Sequence, residues 1–124
     1  MSNMKKVDII TRMEKLEDLK EALNAIGVQG MTVSEVYGCG LQKGHKEVYR
    51  GREYTVNLVQ NVKVETIVCE IPVDIVMETA RKVLHTGSVG DGKIFVYDVA
   101  DAMRIRTGTR GEKAVTDDEE VVEN

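Results

Sequence analysis

The sequence predicts an α+β fold, four strands and two helices in the order βαββαβ, with both helices packed on one face of a single sheet. Three observations predict it. The hydrophobic period alternates between two and 3.6 in that order along the chain. No helical stripe separates the two central strands, and two helices are too few to cover both faces of a four-stranded sheet. This is the split βαβ, or ferredoxin-like, plait. At 124 residues the chain is one domain's worth and long enough to bury a core.

Each element has its own signature. "KKVDIITRM" reads as a strand ending near Met13. "EKLEDLKEALNAIG" follows, with Leu16, Leu19, Leu23 and Ile26 on one stripe and Gly27 as the stop. "MTVSEVYGCG" gives the second strand and "NVKVETIVCEI", rich in β-branched residues, the third. Pro72 suits the first turn of a helix that places Val73, Val76, Met77, Ala80, Val83 and Leu84 on one face. "KIFVYDV" is the fourth strand, and "MRIRTG" a short extended segment after it. Between strands two and three, residues of about 41–60 form a long basic loop, well beyond the usual two to five residues of a hairpin connection. Loops of that length are functional or simply floppy.

The strands carry apolar residues on both alternations: Ile94 and Val96 against Phe95, Tyr97 and Val99, and Val62 and Val64 against Ile67 and Cys69. Something other than this chain's own helices must cover the second face, and a homo-oligomer is the economical answer.

Composition narrows the function classes. A 42% hydrophobic, 31% charged chain is of the soluble globular kind. "MSNMKKVDIITRMEK" turns charged again within a few residues, so neither a signal peptide nor a membrane span is expected and the cytoplasm is the expected location. Cys39 and Cys69 stand far apart, which suggests reduced thiols and neither a disulfide framework nor a zinc site. The net charge of -4 comes from "DDEEVVEN" at 117–124, an acidic tail expected to be solvated and disordered; residues 1–116 balance 17 bases against 16 acids. Such a body, without Trp and with one Phe, argues against nucleic acid. Neither His45 nor His85 has a serine or cysteine framed as a nucleophile, so no enzyme is expected.

"HTGSVGDGKIFVYD" at 85–98 holds the spacing G-x-x-x-x-G-K from Gly87, but Ile94 occupies the place where a P-loop has its magnesium-binding Ser or Thr. The predicted order is also inverted, helix before and strand after, which excludes a Walker mechanism. Gly90, Asp91 and Gly92 can still offer successive backbone N–H groups as an anion nest beside Lys93, while a tight helix-to-strand turn would use the same glycines. Arg104 and Arg106, two apart on an extended segment, project from one face and favour a polyphosphate; solvated arginines on an edge strand are the plainer alternative.

"MKKVDII", "GMTVSEVYGCGLQKGH", "VYRGREY" and "TGSVGDGKIFVYDVADAMRIRTG" together resemble the PII nitrogen-regulatory signal proteins, over residues 4–113. The resemblance implies a homotrimer of ferredoxin-like subunits that binds ATP or ADP in clefts between subunits. It also implies docking of the long loop onto an ammonium transporter or a nitrogen-metabolism enzyme. On this basis Gly90, Asp91, Gly92 and Lys93 surround the phosphates, Arg104 and Arg106 reach in across the cleft, Thr32, Gly40 and Ile67 match adenosine-side positions, and Glu65 lies in the same strand. Gln42 matches a residue that helps hold magnesium and 2-oxoglutarate, and Arg50 the loop-tip arginine that enters a transporter channel. Tyr54 matches a tyrosine uridylylated in some relatives; an unmodified residue is the expectation.

Two departures from the family pattern matter. Leu41 stands where an arginine would face the γ-phosphate, and Asn61 where a lysine would pair with a carboxylate of 2-oxoglutarate. Each lost charge-assisted bond is worth roughly 1.5 to 3 kcal/mol. The expectation is adenine nucleotide binding with ATP and ADP held comparably, and weak or absent 2-oxoglutarate sensing.

Overall fold

The computed structural model describes residues 3–40, 47–49, 52–54 and 57–116. Strand β1 (Lys5–Arg12) leads through a short 3-10 turn (Met13–Lys15) into α1 (Leu16–Ala25). Strand β2 (Thr32–Gly40), a small ribbon of β3 (Glu47–Tyr49) and β4 (Arg52–Tyr54), and the long β5 (Asn57–Val68) follow. Helix α2 (Val73–Leu84), β6 (Lys93–Asp98) and a 3-10 turn (Gly111–Ala114) are the last elements among the described residues. The main sheet runs β2-β5-β1-β6 with every neighbouring pair antiparallel, the order of the ferredoxin-like plait.

Register explains which residues become core. Val7, Ile9 and Thr11 of β1 stand opposite Thr66, Val64 and Val62 of β5, and all six are buried on the helix side. Leu19 and Leu23 of α1 and Val76, Ala80 and Leu84 of α2 close over them, four-residue steps that put one stripe of each helix inward. Leu16, Ile26, Val73 and Val83 pack at the margin of this core. Gly27 ends α1 as expected: its φ of +103° belongs to the left-handed region. From there Gly27 N bonds the carbonyl of Asn24 at 3.0 Å and Val28 N that of Leu23 at 3.0 Å, a Schellman closure with Val28 buried behind it.

Four details correct the sequence reading. Strand β5 begins at Asn57, so the connection from β2 ends there and not at 60, and it contains the β3–β4 ribbon. Pro72 precedes α2 as its N-cap instead of sitting inside the first turn. "MRIRTG" is no strand: a single bridge joins Met103 to Arg110, and the chain turns at 105–107 with Gly108 N on the carbonyl of Arg104 at 2.7 Å. The second sheet face is less apolar than the alternation implied. Ile10, Ile67, Phe95 and Tyr97 lie there among Lys6, Asp8, Lys63 and Glu65. Asp8 is 3% exposed, with the ammonium groups of Lys6 at 3.5 Å and Lys63 at 3.8 Å from its carboxylate.

Candidate functional site

The glycine segment connects α2 to β6 with the helix before it and the strand after it, so the inverted order holds. Three of its residues, Gly87, Gly90 and Gly92, have positive φ. Gly92 is the tightest: a Cβ built there would stand 2.0 Å from the carbonyl oxygen of Ile10, so the segment crosses β1 where only hydrogen fits. Asp91 ties the turn together from below. Its carboxylate accepts the hydroxyl and backbone N–H of Thr86, the latter at 2.8 Å, and the N–H of Gly87 at 2.9 Å.

These bonds, led by the Thr86 hydroxyl and helped by Arg12 at 3.6 Å, lower the Asp91 pKa to about 2. A carboxylate so engaged serves the turn. The folded pKa lies below the unfolded value of 3.8. The ionised form therefore stabilises the loop fully above that value, and the contribution disappears as pH falls from about 4 to about 2. In an acid titration followed by amide NMR, the Thr86 and Gly87 resonances should move with a midpoint near 2, and this step should vanish in Asp91→Asn.

Above the turn, the carbonyl of Asp91 accepts the hydroxyl of Thr11 at 2.9 Å, and those of Val89 and Gly90 accept the guanidinium of Arg12 at 3.0 and 3.1 Å. In a trans peptide unit the N–H points opposite to the C=O. With these carbonyls drawn toward β1, the amides of Gly90 and Gly92 turn away from it, the polarity an anion nest requires. The amide of Asp91 closes back on Ser88 at 3.3 Å, so the three N–H groups are not an uninterrupted row.

A second group lies elsewhere. Thr32, Glu65 and Ile67 share a cavity of about 450 Å³ with Lys6, Gly30, Met31, Thr66 and Val115. Glu65 is paired with Lys6 at 3.0 Å, which lowers the carboxyl pKa and raises that of the ammonium. Thr32 stands directly opposite Glu65 in the β2–β5 register, and Gly40 ends the same strand opposite Asn57. Thr32 and Lys93 therefore lie on opposite edge strands of the sheet, about 14 Å apart across three strand spacings and two residues offset along it, since Thr32 lines up through Glu65 and Asp8 with Phe95.

Arg104 and Arg106 do not share a face of an extended segment. The Arg104 guanidinium donates to the carbonyls of Lys113 at 2.9 Å and Thr116 at 3.3 Å, which places it next to Val115 at the Thr32 cavity and not at the glycine turn. Arg106 is exposed in the turn itself. Within one protomer the candidates thus fall into two groups, one at the glycine turn and one at the Thr32 cavity. Leu41, Gln42 and Arg50 lie outside the described residues, and Tyr54 is placed only as the backbone partner of Glu47. Asn61 stands opposite Arg12 on β5, and with its amide assigned so that the nitrogen is the donor it reaches the carbonyls of Thr11 and Gln60, at 3.2 Å each. Sequence reading passed over Thr11, Arg12, Thr86 and Lys6. The Thr86–Asp91 spacing across a glycine turn is the one local signal that could have found any of them.

Among the described residues, no cluster of three or more His, Cys, Asp or Glu could hold a metal ion, and no helix is long and apolar enough to cross a membrane.

Comparison with known proteins gives a consistent result. The family model "Nitrogen regulatory protein P-II" matches residues 4–109. The nitrogen regulatory PII-like protein of Bacillus subtilis is 51% identical over 112 residues, covering 90% of this chain and 97% of that protein. The P-II protein of Klebsiella oxytoca is 50% identical over 112 residues, 90% of this chain and all of its own length. Among solved structures, the complex of B. subtilis GlnK with ATP superposes with a TM-score of 0.79 at 47% identity, over 92% of this chain and 98% of that one. Arabidopsis thaliana PII bound to citrate gives 0.74 at 39% identity, over 91% and 92%. With the plait, the glycine turn and this extent of identity together, the chain belongs to the nitrogen regulatory protein P-II family.

Proposed function

We propose that this nitrogen regulator binds ATP or ADP between the subunits of a homotrimer and uses the nucleotide state to control a partner through the connection between β2 and β5. The observation that carries the reading is the division of the site. The glycine turn with Lys93 offers outward amides and a cation, while the Thr32–Glu65–Ile67 cavity offers a shaped recess on the far edge of the sheet. A nucleotide spanning both within one protomer would have to cross the Lys6, Asp8 and Lys63 charges at the middle of the face. Across a subunit boundary, the turn of one copy and the cavity of the next compose one cleft. The exposed Phe95 and Tyr97 on that face are suited to burial in the same assembly. The ATP-bound B. subtilis relative, at 47% identity, supports the nucleotide.

In that cleft the amides of Gly90 and Gly92 and the ammonium of Lys93 receive the phosphate oxygens, with Asp91 fixing the turn. Arg104 and Arg106 approach from the neighbouring subunit; a phosphate reaching Arg104 competes with the carbonyls of Lys113 and Thr116. Thr32, Gly40, Glu65 and Ile67 take the nucleoside. Magnesium, if carried on the phosphates, would be held there with the help of Gln42. Leu41 removes a cation from the γ-phosphate, which brings ATP and ADP close in affinity. Asn61 supplies an amide already turned to two carbonyls in place of a cation for 2-oxoglutarate. The partner is an ammonium transporter or a nitrogen-metabolism enzyme engaged through Arg50; the protein acts from the cytoplasm as one PII-like domain over 1–116, and no turnover is needed.

Isothermal titration tests this reading. Lys93→Ala and Arg104→Ala should each weaken ATP by about ten- to a hundredfold, the worth of one charge-assisted bond. ATP and ADP should differ by less than about tenfold in the parent, and 2-oxoglutarate with magnesium and ATP should give no micromolar heat. A parent that takes up no ATP would leave a plain interaction module of the same plait, and unchanged ATP binding in both variants would remove the glycine turn and Arg104 from the site.

A further inference from the structure

We infer that Arg12 is a positioning residue for the anion-binding turn: its guanidinium sets which way the peptide units of residues 89–91 face, without itself contacting the ligand. Three observations carry this. Arg12 ends β1, and its Nε and Nη2 donate to two successive carbonyls, Gly90 at 3.1 Å and Val89 at 3.0 Å. A planar guanidinium can meet two neighbouring acceptors at once, which a single ammonium cannot do in the same fixed geometry. The backbone also approaches unusually closely, since a Cβ at Gly90 would lie 3.1 Å from Nη2. The turn is therefore shaped around this side chain. Finally, the charge is already matched, with Asp91 Oδ1 3.6 Å from the same Nη2. A guanidinium that gives two of its donors to successive carbonyls and has a carboxylate beside its charge is suited to orient.

The consequence is a division of labour at the end of β1. Thr11 and Arg12 hold the carbonyls of Asp91, Gly90 and Val89 on the β1 side. The trans peptide geometry then commits the N–H groups of Gly90 and Gly92 to the other side. Glycines at positive φ gain little from their own torsional preferences, because glycine populates either sign of φ about equally. An external clamp must therefore select the one orientation that presents donors. The inference rests on the reading of this turn as the phosphate site, and two independent measurements keep the two apart.

The first needs no ligand. In the full-length chain, Arg12→Met should speed amide hydrogen exchange over residues 86–93 by about tenfold, the loss of roughly one net charge-assisted bond. Exchange over α1 should be unchanged. Arg12→Lys should fall between parent and Met. Unchanged exchange over 86–93 in both variants would overturn the proposal. If Arg12→Met loosens α1 as well, the decision passes to Arg12→Lys under the same criterion.

The second measures ATP and adenosine affinity at several salt concentrations. Arg12→Met should weaken ATP about tenfold, leave adenosine unchanged and keep the parent's salt dependence, whereas Lys93→Ala should flatten it. A salt slope reduced as much as in Lys93→Ala would make Arg12 a direct phosphate ligand and overturn the positioning role. A parent that binds no ATP, with loop exchange still accelerated in Arg12→Met, would remove the nucleotide reading and leave the clamp as a feature of the turn.

Discussion

Gly92→Ala is expected to destabilise the protein by roughly 2 to 6 kcal/mol and to weaken ATP by at least about a hundredfold. Two costs add. The left-handed φ of +113° strains any residue with a Cβ by about 1 to 3 kcal/mol. The new methyl would also meet the Ile10 carbonyl at 2.0 Å and the Thr11 Cα at 3.0 Å, backbone atoms in the middle of the sheet that cannot rotate aside. Forced overpacking of this kind costs a further 1 to 3 kcal/mol or about that. Relief requires the turn to lift off β1, which breaks the Thr11–Asp91 bond and scatters the outward amides. Gly87→Ala is the control. It shares the positive φ, but nothing lies within 4 Å of its Cβ position, so only the torsional cost applies. Thermal unfolding and ATP titration of both variants decide the matter. Near-parental ATP affinity in Gly92→Ala would mean that the close crossing of β1 does not shape the site.

Ile9→Ala should cost about 2 to 5 kcal/mol, the usual range for a large aliphatic residue truncated in a packed core. Ile9 is fully buried at the centre of the sheet, between Val64 on β5 and Ile94 on β6, with both helices above. Its neighbours on three elements limit how far the hole can collapse. Val89→Ala, at a residue 98% exposed, should shift stability by less than about 0.5 kcal/mol. Denaturant unfolding compares the two, and similar midpoints would show that the helix-side cluster is not the main source of stability.

The plait was legible because its core is periodic. Leu19 and Leu23, or Val62, Val64 and Thr66, repeat at the spacing of their element, and Gly27 stops α1 through a backbone conformation that the residue type announces. The misread boundaries have local causes. The start of β5 includes Leu58 and Val59, both exposed, where pairing to β2 extends the strand past the core and leaves no alternation to read. "MRIRTG" looks extended, yet Thr107 bonds Thr109 through its hydroxyl and the chain folds back on itself, a contest between strand propensity and turn chemistry that the turn wins.

At the site, glycine spacing pointed to the anion device because each close approach demands glycine. Arg12 gave no such sign: one arginine after an apolar strand looks like any solvated cation until β1 is set beside the turn. The Lys6–Glu65 pair is diagonal across the β1–β5 register, so it too becomes visible only once that register is known.

The pairing of β1 governs how this chain can be made. Its neighbours on either side, β5 and β6, are encoded roughly 45 to 90 residues later, with Lys5 opposite Val68 and then Asp98. At a ribosomal pace of about 5 to 20 residues per second, the first strand is synthesised roughly 3 to 12 seconds before Val68. Throughout that interval Val7 and Ile9 have nothing to pair with, while α1 can already form from local contacts. Closing so large a loop before any reward places this plait among the slower folders of its size, and its earliest apolar strand is the one that nascent-chain chaperones would have most reason to hold.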